Sequence, residues 1–182
     1  MNELPKRKST RWKLFDYSNP GLYFLTICTK DRRNLLSHIT VGDDASASRE
    51  DNILRAPKVE LTEIGKIVEK YIHSTEKIEN VFVDKYVIMP NHIHLIIYIK
   101  DQRCNNKTDG QIGTPRASSP TNKTLPKIVS ALKRLCNKEI GENIFQRSYY
   151  DHIIRDEKDY ETRVNYIYEN PTRWFFDELY NE

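Results

Sequence analysis

Apolar and polar positions fall into two kinds of repeat along this chain. Leu22-Tyr23-Phe24-Leu25-Thr26-Ile27-Cys28-Thr29 is dense in aromatic and β-branched residues and reads as a strand. Val81-Phe82-Val83-Asp84-Lys85-Tyr86-Val87-Ile88-Met89 reads as a second strand and His92 to Ile99 as a third. Pro90-Asn91 between them is a turn signal, so the two strands form a hairpin. Phe145 to Arg155 reads as a fourth strand. Helical spacing governs other stretches. Thr62 caps a helix predicted over residues 62–79, whose apolar positions are Ile64, Ile67, Val68, Tyr71 and Ile72. Leu125, Ile128, Val129, Leu132, Leu135 and Cys136 mark a second amphipathic helix. A third is predicted over residues 157–169, capped by Asp156 and stopped by Pro171. Residues 1–20 read as an irregular basic arm, 37–58 as a polar loop, and 101–122 as a flexible surface loop rich in Asn, Gln, Gly, Ser, Thr and Pro.

The order β-α-β-β-α-β followed by one more helix defines the fold class. It is an α+β, ferredoxin-like (RRM-like) split β-α-β plan: a four-stranded antiparallel sheet with two helices on one face and an added C-terminal helix. No internal repeat is visible, and 182 residues suit one domain over 1–182 with a full core.

Composition narrows the picture. No apolar run approaches the ~20 residues needed to span a bilayer, and the N-terminus has no apolar signal core, so no membrane role is expected. Cys28, Cys104 and Cys136 are far apart and odd in number, which fits a reducing cytosol better than a disulfide framework. The net charge of +3 says little by itself, but its distribution says more. Lys6, Arg7, Lys8, Arg11 and Lys13 crowd the N-terminal arm around Trp12. Lys30, Arg32 and Arg33 follow the first strand, and Lys127, Lys133 and Arg134 lie on the second helix. Clustered cations suit phosphate binding, and they also serve solubility.

The candidate chemistry starts at Met89-Pro90-Asn91-His92-Ile93-His94-Leu95-Ile96-Ile97. Side chains alternate along a strand, so His92 and His94 share one face while Ile93, Leu95 and Ile97 occupy the other. Two adjacent imidazoles form half of a metal site or an acid–base pair. A third histidine two residues on would suggest nucleotide hydrolysis of the histidine-triad kind, but that position is Ile96. No Gly-x-Ser-x-Gly elbow and no Gly-rich phosphate loop is present. On a wheel of the last helix, Tyr160, Val164, Ile167 and Tyr168 form the apolar stripe. Tyr166 falls off it, on the side of Asp159, Arg163 and Asn170.

These segments together resemble a family. His92-Ile93-His94 after Met89-Pro90-Asn91, then Tyr166-Ile167-Tyr168-Glu169-Asn170-Pro171, is similar to the single-tyrosine HUH transposases, and most closely to their REP-associated branch. Leu22 to Thr29 resembles their first strand, and Phe145 to Arg155 the segment before their catalytic helix. The resemblance covers almost the whole chain except 37–58 and 101–122. It implies that His92 and His94 ligate a metal and that Tyr166 is the nucleophile. Asn170 would be the third ligand or sit beside the metal; the insertion-sequence branch has Gln in this place. With these nitrogen and oxygen donors the cofactor implied is Mg²⁺ or Mn²⁺.

The activity implied is cleavage and rejoining of single-stranded DNA next to hairpins through a 5′-phosphotyrosine. The partner would be single-stranded DNA with a hairpin, and the enzyme a monomer or homodimer in the bacterial cytoplasm, associated with the nucleoid. Lys6, Arg7, Lys8, Arg11, Trp12 and Lys13 would grip DNA through phosphate contacts and stacking. Arg163 would steady a phosphate or pair with Asp159. His152 is expected to make a structural hydrogen bond, and Tyr149 and Tyr150 to be core or groove aromatics. A catalytically silent hairpin-binding protein is the alternative, and a nuclease using water is a third reading.

Overall fold

The computed structural model describes residues 20–40, 57–100, 124–176 and 179–180. Its strands are β1 (Gly21–Cys28), β2 (Ser37–Thr40), β3 (Lys58–Leu61), β4 (Val81–Ile88), β5 (His92–Ile99) and β6 (Tyr150–Ile154). Its helices are α1 (Glu63–Ser74), α2 (Thr124–Ile140) and α3 (Glu157–Glu169). The main sheet runs β4-β5-β1-β6 with every pairing antiparallel, the strand order of the expected split β-α-β plan.

The two faces of this sheet differ. Tyr23, Leu25 and Ile27 of β1 and Ile93, Leu95, Ile97 and Ile99 of β5 point toward α1 and α2, where Val68, Ile72, Leu125, Ile128, Val129 and Leu132 close the principal core. The alternate positions face α3. There the apolar contact is small: Phe24, Ile96, Ile154 and Ile167 are buried, with Leu22, Val87, Tyr160 and Val164 packed around them.

The expected α1 cap is present, since the Thr62 hydroxyl oxygen accepts from the Gly65 amide. The helix stops at Ser74, short of the predicted residue 79. There the Thr75 hydroxyl donates to the Ile72 carbonyl and a 3₁₀ turn follows. The fourth strand is also shorter than predicted. Phe145 makes only a single bridge to Thr29, and the Lys133 ammonium holds the Gln146 and Ser148 carbonyls away from the sheet. Lys133, one of the basic residues of the second helix, thus has a structural duty here. The polar loop predicted at 37–58 is corrected, because its ends form the β2–β3 ribbon. Four-residue strands with one or two apolar positions carry too little alternation to be read from sequence. The expected loop over 101–122 lies outside the described residues.

The ribbon's entry point links α1 to the turn before β5. Leu35 and Leu36 both donate their amides to the Pro90 carbonyl, at 2.9 Å each. The Leu36 carbonyl in turn accepts from the Thr62 amide at 3.0 Å. Gly65 packs directly on that carbonyl, and a Cβ there would collide with it. Alanine normally improves a helix interior by about 1 kcal/mol over glycine. Here the obstacle is backbone already engaged in the hydrogen bond from Thr62, so overpacking should win. Gly65→Ala is expected to lose about 1–3 kcal/mol of stability in denaturant unfolding; a gain would refute this account of the contact.

Candidate active site

The register of β1 with β5 places Cys28 opposite His92 and Thr26 opposite His94, all on the α3 face. Both imidazoles are buried, and their ring centroids lie 4.5 Å apart. α3 crosses above them. Its Asp156 side chain caps the first turn by accepting from the Asp159 amide. Two polar ties to the sheet, and one ion pair within the helix, add to the small apolar seat. Asp159 pairs with His152 of β6 at 2.7 Å and with Arg163 at 3.3 Å. The Tyr160 hydroxyl donates to Asp84 at 2.8 Å, at the point where the β4–β5 register shifts. Arg163 lies over the Phe24 ring, 5.5 Å from its centroid. Burial pushes the Asp159 carboxyl upward, but hydrogen bonding and charge interaction with His152, together with donation from Arg155 and Arg163, hold it below its usual value.

Seated this way, α3 brings Tyr166 over the pair. Its ring centroid is 5.0 Å from that of His94 and 6.0 Å from that of Phe24. Asn170, buried one turn later, lines the same cleft as His94 and Tyr166. The cleft encloses about 640 Å³ and is also walled by Thr26, Tyr150, Arg173 and Phe176. One detail of the helical wheel is corrected. Tyr168, placed on the apolar stripe by sequence, is 64% exposed, against 40% for Tyr166. The packed side of α3 includes the half-buried Arg163 and the buried Asn170, which turns the helix toward Tyr166 and away from Tyr168.

Hydrogen bonds set the state of each imidazole. Asn91 Nδ2 donates to the Leu179 carbonyl at 2.7 Å and to the Arg32 carbonyl at 3.4 Å. Its Oδ1 is thereby left to accept from His92 Nδ1 at 2.8 Å. A neutral His92 thus carries its proton on Nδ1 and its lone pair on Nε2. His94 Nδ1 is held by the Thr26 hydroxyl at 3.0 Å. Its Nε2 is buried with no hydrogen-bond partner among the described residues. Burial first, and the neighbouring His92 second, push the His94 pKa well below its usual value, which keeps it neutral.

Two buried imidazoles whose Nδ1 atoms are held by Asn91 and Thr26 fit a divalent cation, with the Asn170 carboxamide at hand. Among the described residues no group of three or more His, Cys, Asp or Glu could hold a metal ion. The donors here are an incomplete set that leaves positions for phosphate or water oxygens.

Of the residues singled out in sequence, His94, Tyr166 and Asn170 line one cleft, His92 is buried beside His94, and Arg163 lies one turn away in its ion pair. His152 makes the expected structural bond, and Tyr149 and Tyr150 both line the cleft. Lys6, Arg7, Lys8, Arg11, Trp12 and Lys13 lie outside the described residues. Sequence reasoning did not single out Thr26, Asn91 or Trp174, whose ring lies 5.9 Å from that of His92. Asn91 was legible only as a turn residue. No helix of the described residues is long and apolar enough to cross a membrane.

No family model matches the chain. An uncharacterized protein of Haemophilus influenzae is 34% identical over 184 residues, spanning 96% of this chain and 93% of that one. A second protein of that organism, provisionally named a REP-associated tyrosine transposase, is 26% identical over 164 residues, spanning 90% of this chain and 77% of the other. Among solved structures, a REP-associated tyrosine transposase bound to a REP hairpin shares the fold. Its TM-score is 0.57 at 18% identity, covering 98% of this chain and 77% of that one. With the motifs quoted above, the chain is similar to the REP-associated tyrosine transposases in sequence and shares the fold of the solved one.

Asn91→Ala removes the acceptor that fixes the His92 tautomer. Titration calorimetry with Mn²⁺ should show affinity about 10- to 100-fold weaker than wild type, with the fold retained. Unchanged affinity would mean that Asn91 only secures the turn and the Leu179 carbonyl.

Proposed function

We propose that this protein is a transposase-like DNA strand-transfer enzyme that cleaves and rejoins single-stranded DNA beside hairpins. The observation that supports this most is the placement of Tyr166 above the buried His92–His94 pair at the edge of an open cleft. The solved structure of similar fold that is bound to a REP hairpin supports hairpin DNA as the partner.

Breaking a phosphodiester calls for a nucleophile, charge neutralisation and in-line geometry. Tyr166 supplies the nucleophile. Its oxygen attacks the scissile phosphorus, the bond to the 3′-oxygen breaks, and the net transfer of the phenolic proton leaves a free 3′-hydroxyl. The product is a 5′-phosphotyrosine. Attack by another 3′-hydroxyl reverses the step and rejoins DNA, so no ATP is needed. A free phenol ionises near pH 10 and needs help at neutral pH. A divalent cation, Mg²⁺ or Mn²⁺, held by His92 and His94 with Asn170 beside it, would supply charge neutralisation at the phosphate. The chain's own part is positional. β5 fixes the imidazoles, Asn91 and Thr26 hold their Nδ1 atoms, and α3 carries the tyrosine on a rigid element. Arg163 steadies the helix through Asp159 and Phe24. The N-terminal cations and Trp12 are the proposed hairpin grip.

The test is adduct formation on a pool of labelled hairpins with unpaired flanks, read on a denaturing gel with Mn²⁺ present. Wild type and Tyr168→Phe should give a protein–DNA band. Tyr166→Phe should abolish it, and His94→Ala should reduce it at least about 100-fold. A band lost in Tyr168→Phe but kept in Tyr166→Phe would overturn the assignment. Hairpin binding with no band in wild type would leave the binding-only reading.

A further inference from the structure

We propose that Tyr150 is a stacking platform for the unpaired base next to the scissile phosphate. This inference rests on the function proposed above and adds a nucleobase subsite to it.

The geometry follows from one row of the sheet. Thr26 of β1 pairs with His94 on one side and with Tyr150 on the other. The three residues therefore lie side by side on the α3 face, with His94 and Tyr150 two strand spacings apart, about 10 Å. That distance is comparable with the span from a backbone phosphate to the base of the adjoining nucleotide. Both residues line the same cleft, and Tyr166 enters it from above, nearer His94. A phosphate held at Tyr166 and His94 would place a neighbouring base over Tyr150.

Tyr150 has the character such a site needs. It is 47% exposed although it opens a strand whose other residues are buried or half-buried. Its neighbour Tyr149 is buried and packs under the Lys133 ammonium, so the two tyrosines have separate duties. The Lys133 bonds to the Gln146 and Ser148 carbonyls fix the segment that delivers Tyr150. A pre-set ring loses little freedom on binding, which favours stacking. An aromatic face accepts any base, so this subsite would contribute affinity for unpaired DNA more than sequence choice.

The experiment uses a hairpin selected on the wild-type protein from a pool with randomised stem and flank. Its unpaired flank then carries 2-aminopurine at successive positions, and binding is read by fluorescence without added metal. Wild type and Tyr150→Phe should quench the probe at a flank position adjoining the cleaved phosphate. Tyr150→Ala should lose the quench and bind about 5- to 150-fold more weakly. Tyr150→Leu, which keeps apolar bulk without a π face, should also fail to quench. Unchanged quench and affinity in Tyr150→Ala, with adduct formation intact in wild type, would overturn the stacking role alone. Selection that yields no binding hairpin would overturn both this subsite and the DNA reading beneath it.

Discussion

Strand β5 can present His92 and His94 to α3 only while it keeps its register with β1. Side chains on a strand alternate, so a slip by one residue would exchange the two faces completely. His92 and His94 would then enter the core beneath α1 and α2, and Ile93 and Leu95 would face the cleft. The cost of burying two imidazoles among Ile72, Leu125 and Ile128 in place of apolar side chains holds the strand where it is. The same register aligns Thr26 with His94, so the strand pairing also selects the residue that holds its Nδ1. A core built for stability on one side of the sheet thus fixes chemistry on the other.

The seat of α3 is a different kind of contact. Only Ile167 of this helix is deeply buried as an apolar residue. Polar ties make up the rest: His152 with Asp159, Tyr160 with Asp84, and Arg163 over the Phe24 ring. Such ties fix orientation more than they add stability, since partly exposed ion pairs contribute little each. A helix held by directional bonds on a small apolar patch is well defined in angle and is among the first elements to open. For a helix that carries the proposed nucleophile this combination is useful. Tyr166 is aimed over His94, and the cleft is accessible to a polymer substrate.

Much of this arrangement was legible in the chain, for particular reasons. β5 is an apolar run opened by two histidines and bounded by Pro90-Asn91, and α3 carries an N-cap at Asp156 and a stop at Pro171, so both were found with their observed limits. The histidine pair and Tyr166 were legible as motifs whose order matched a family. What stayed hidden depends on tertiary contacts. The β2–β3 ribbon is too short to show a period. The packed side of α3 contains Arg163 and Asn170, polar residues that a hydropathy wheel assigns to solvent, so Tyr168 was placed too near the core. The partners of the imidazoles, Asn91 and Thr26, are ordinary residues in sequence and gain meaning only through strand pairing.

The most direct measurement is the identity of the atom that carries DNA. Wild-type protein is incubated with Mn²⁺ and the selected hairpin, the DNA is trimmed with nuclease, and the protein is digested with trypsin. Cleavage after Arg163 and Arg173 releases Val164 to Arg173, a peptide that holds Tyr166 and Tyr168 together. Fragmentation in the mass spectrometer then localises the nucleotide remnant. The account predicts a 5′-linked nucleotide on Tyr166 alone. A remnant on Tyr168 would contradict the seating of α3 as the source of the chemistry. Cleaved DNA with no remnant on either tyrosine would contradict covalent transfer altogether.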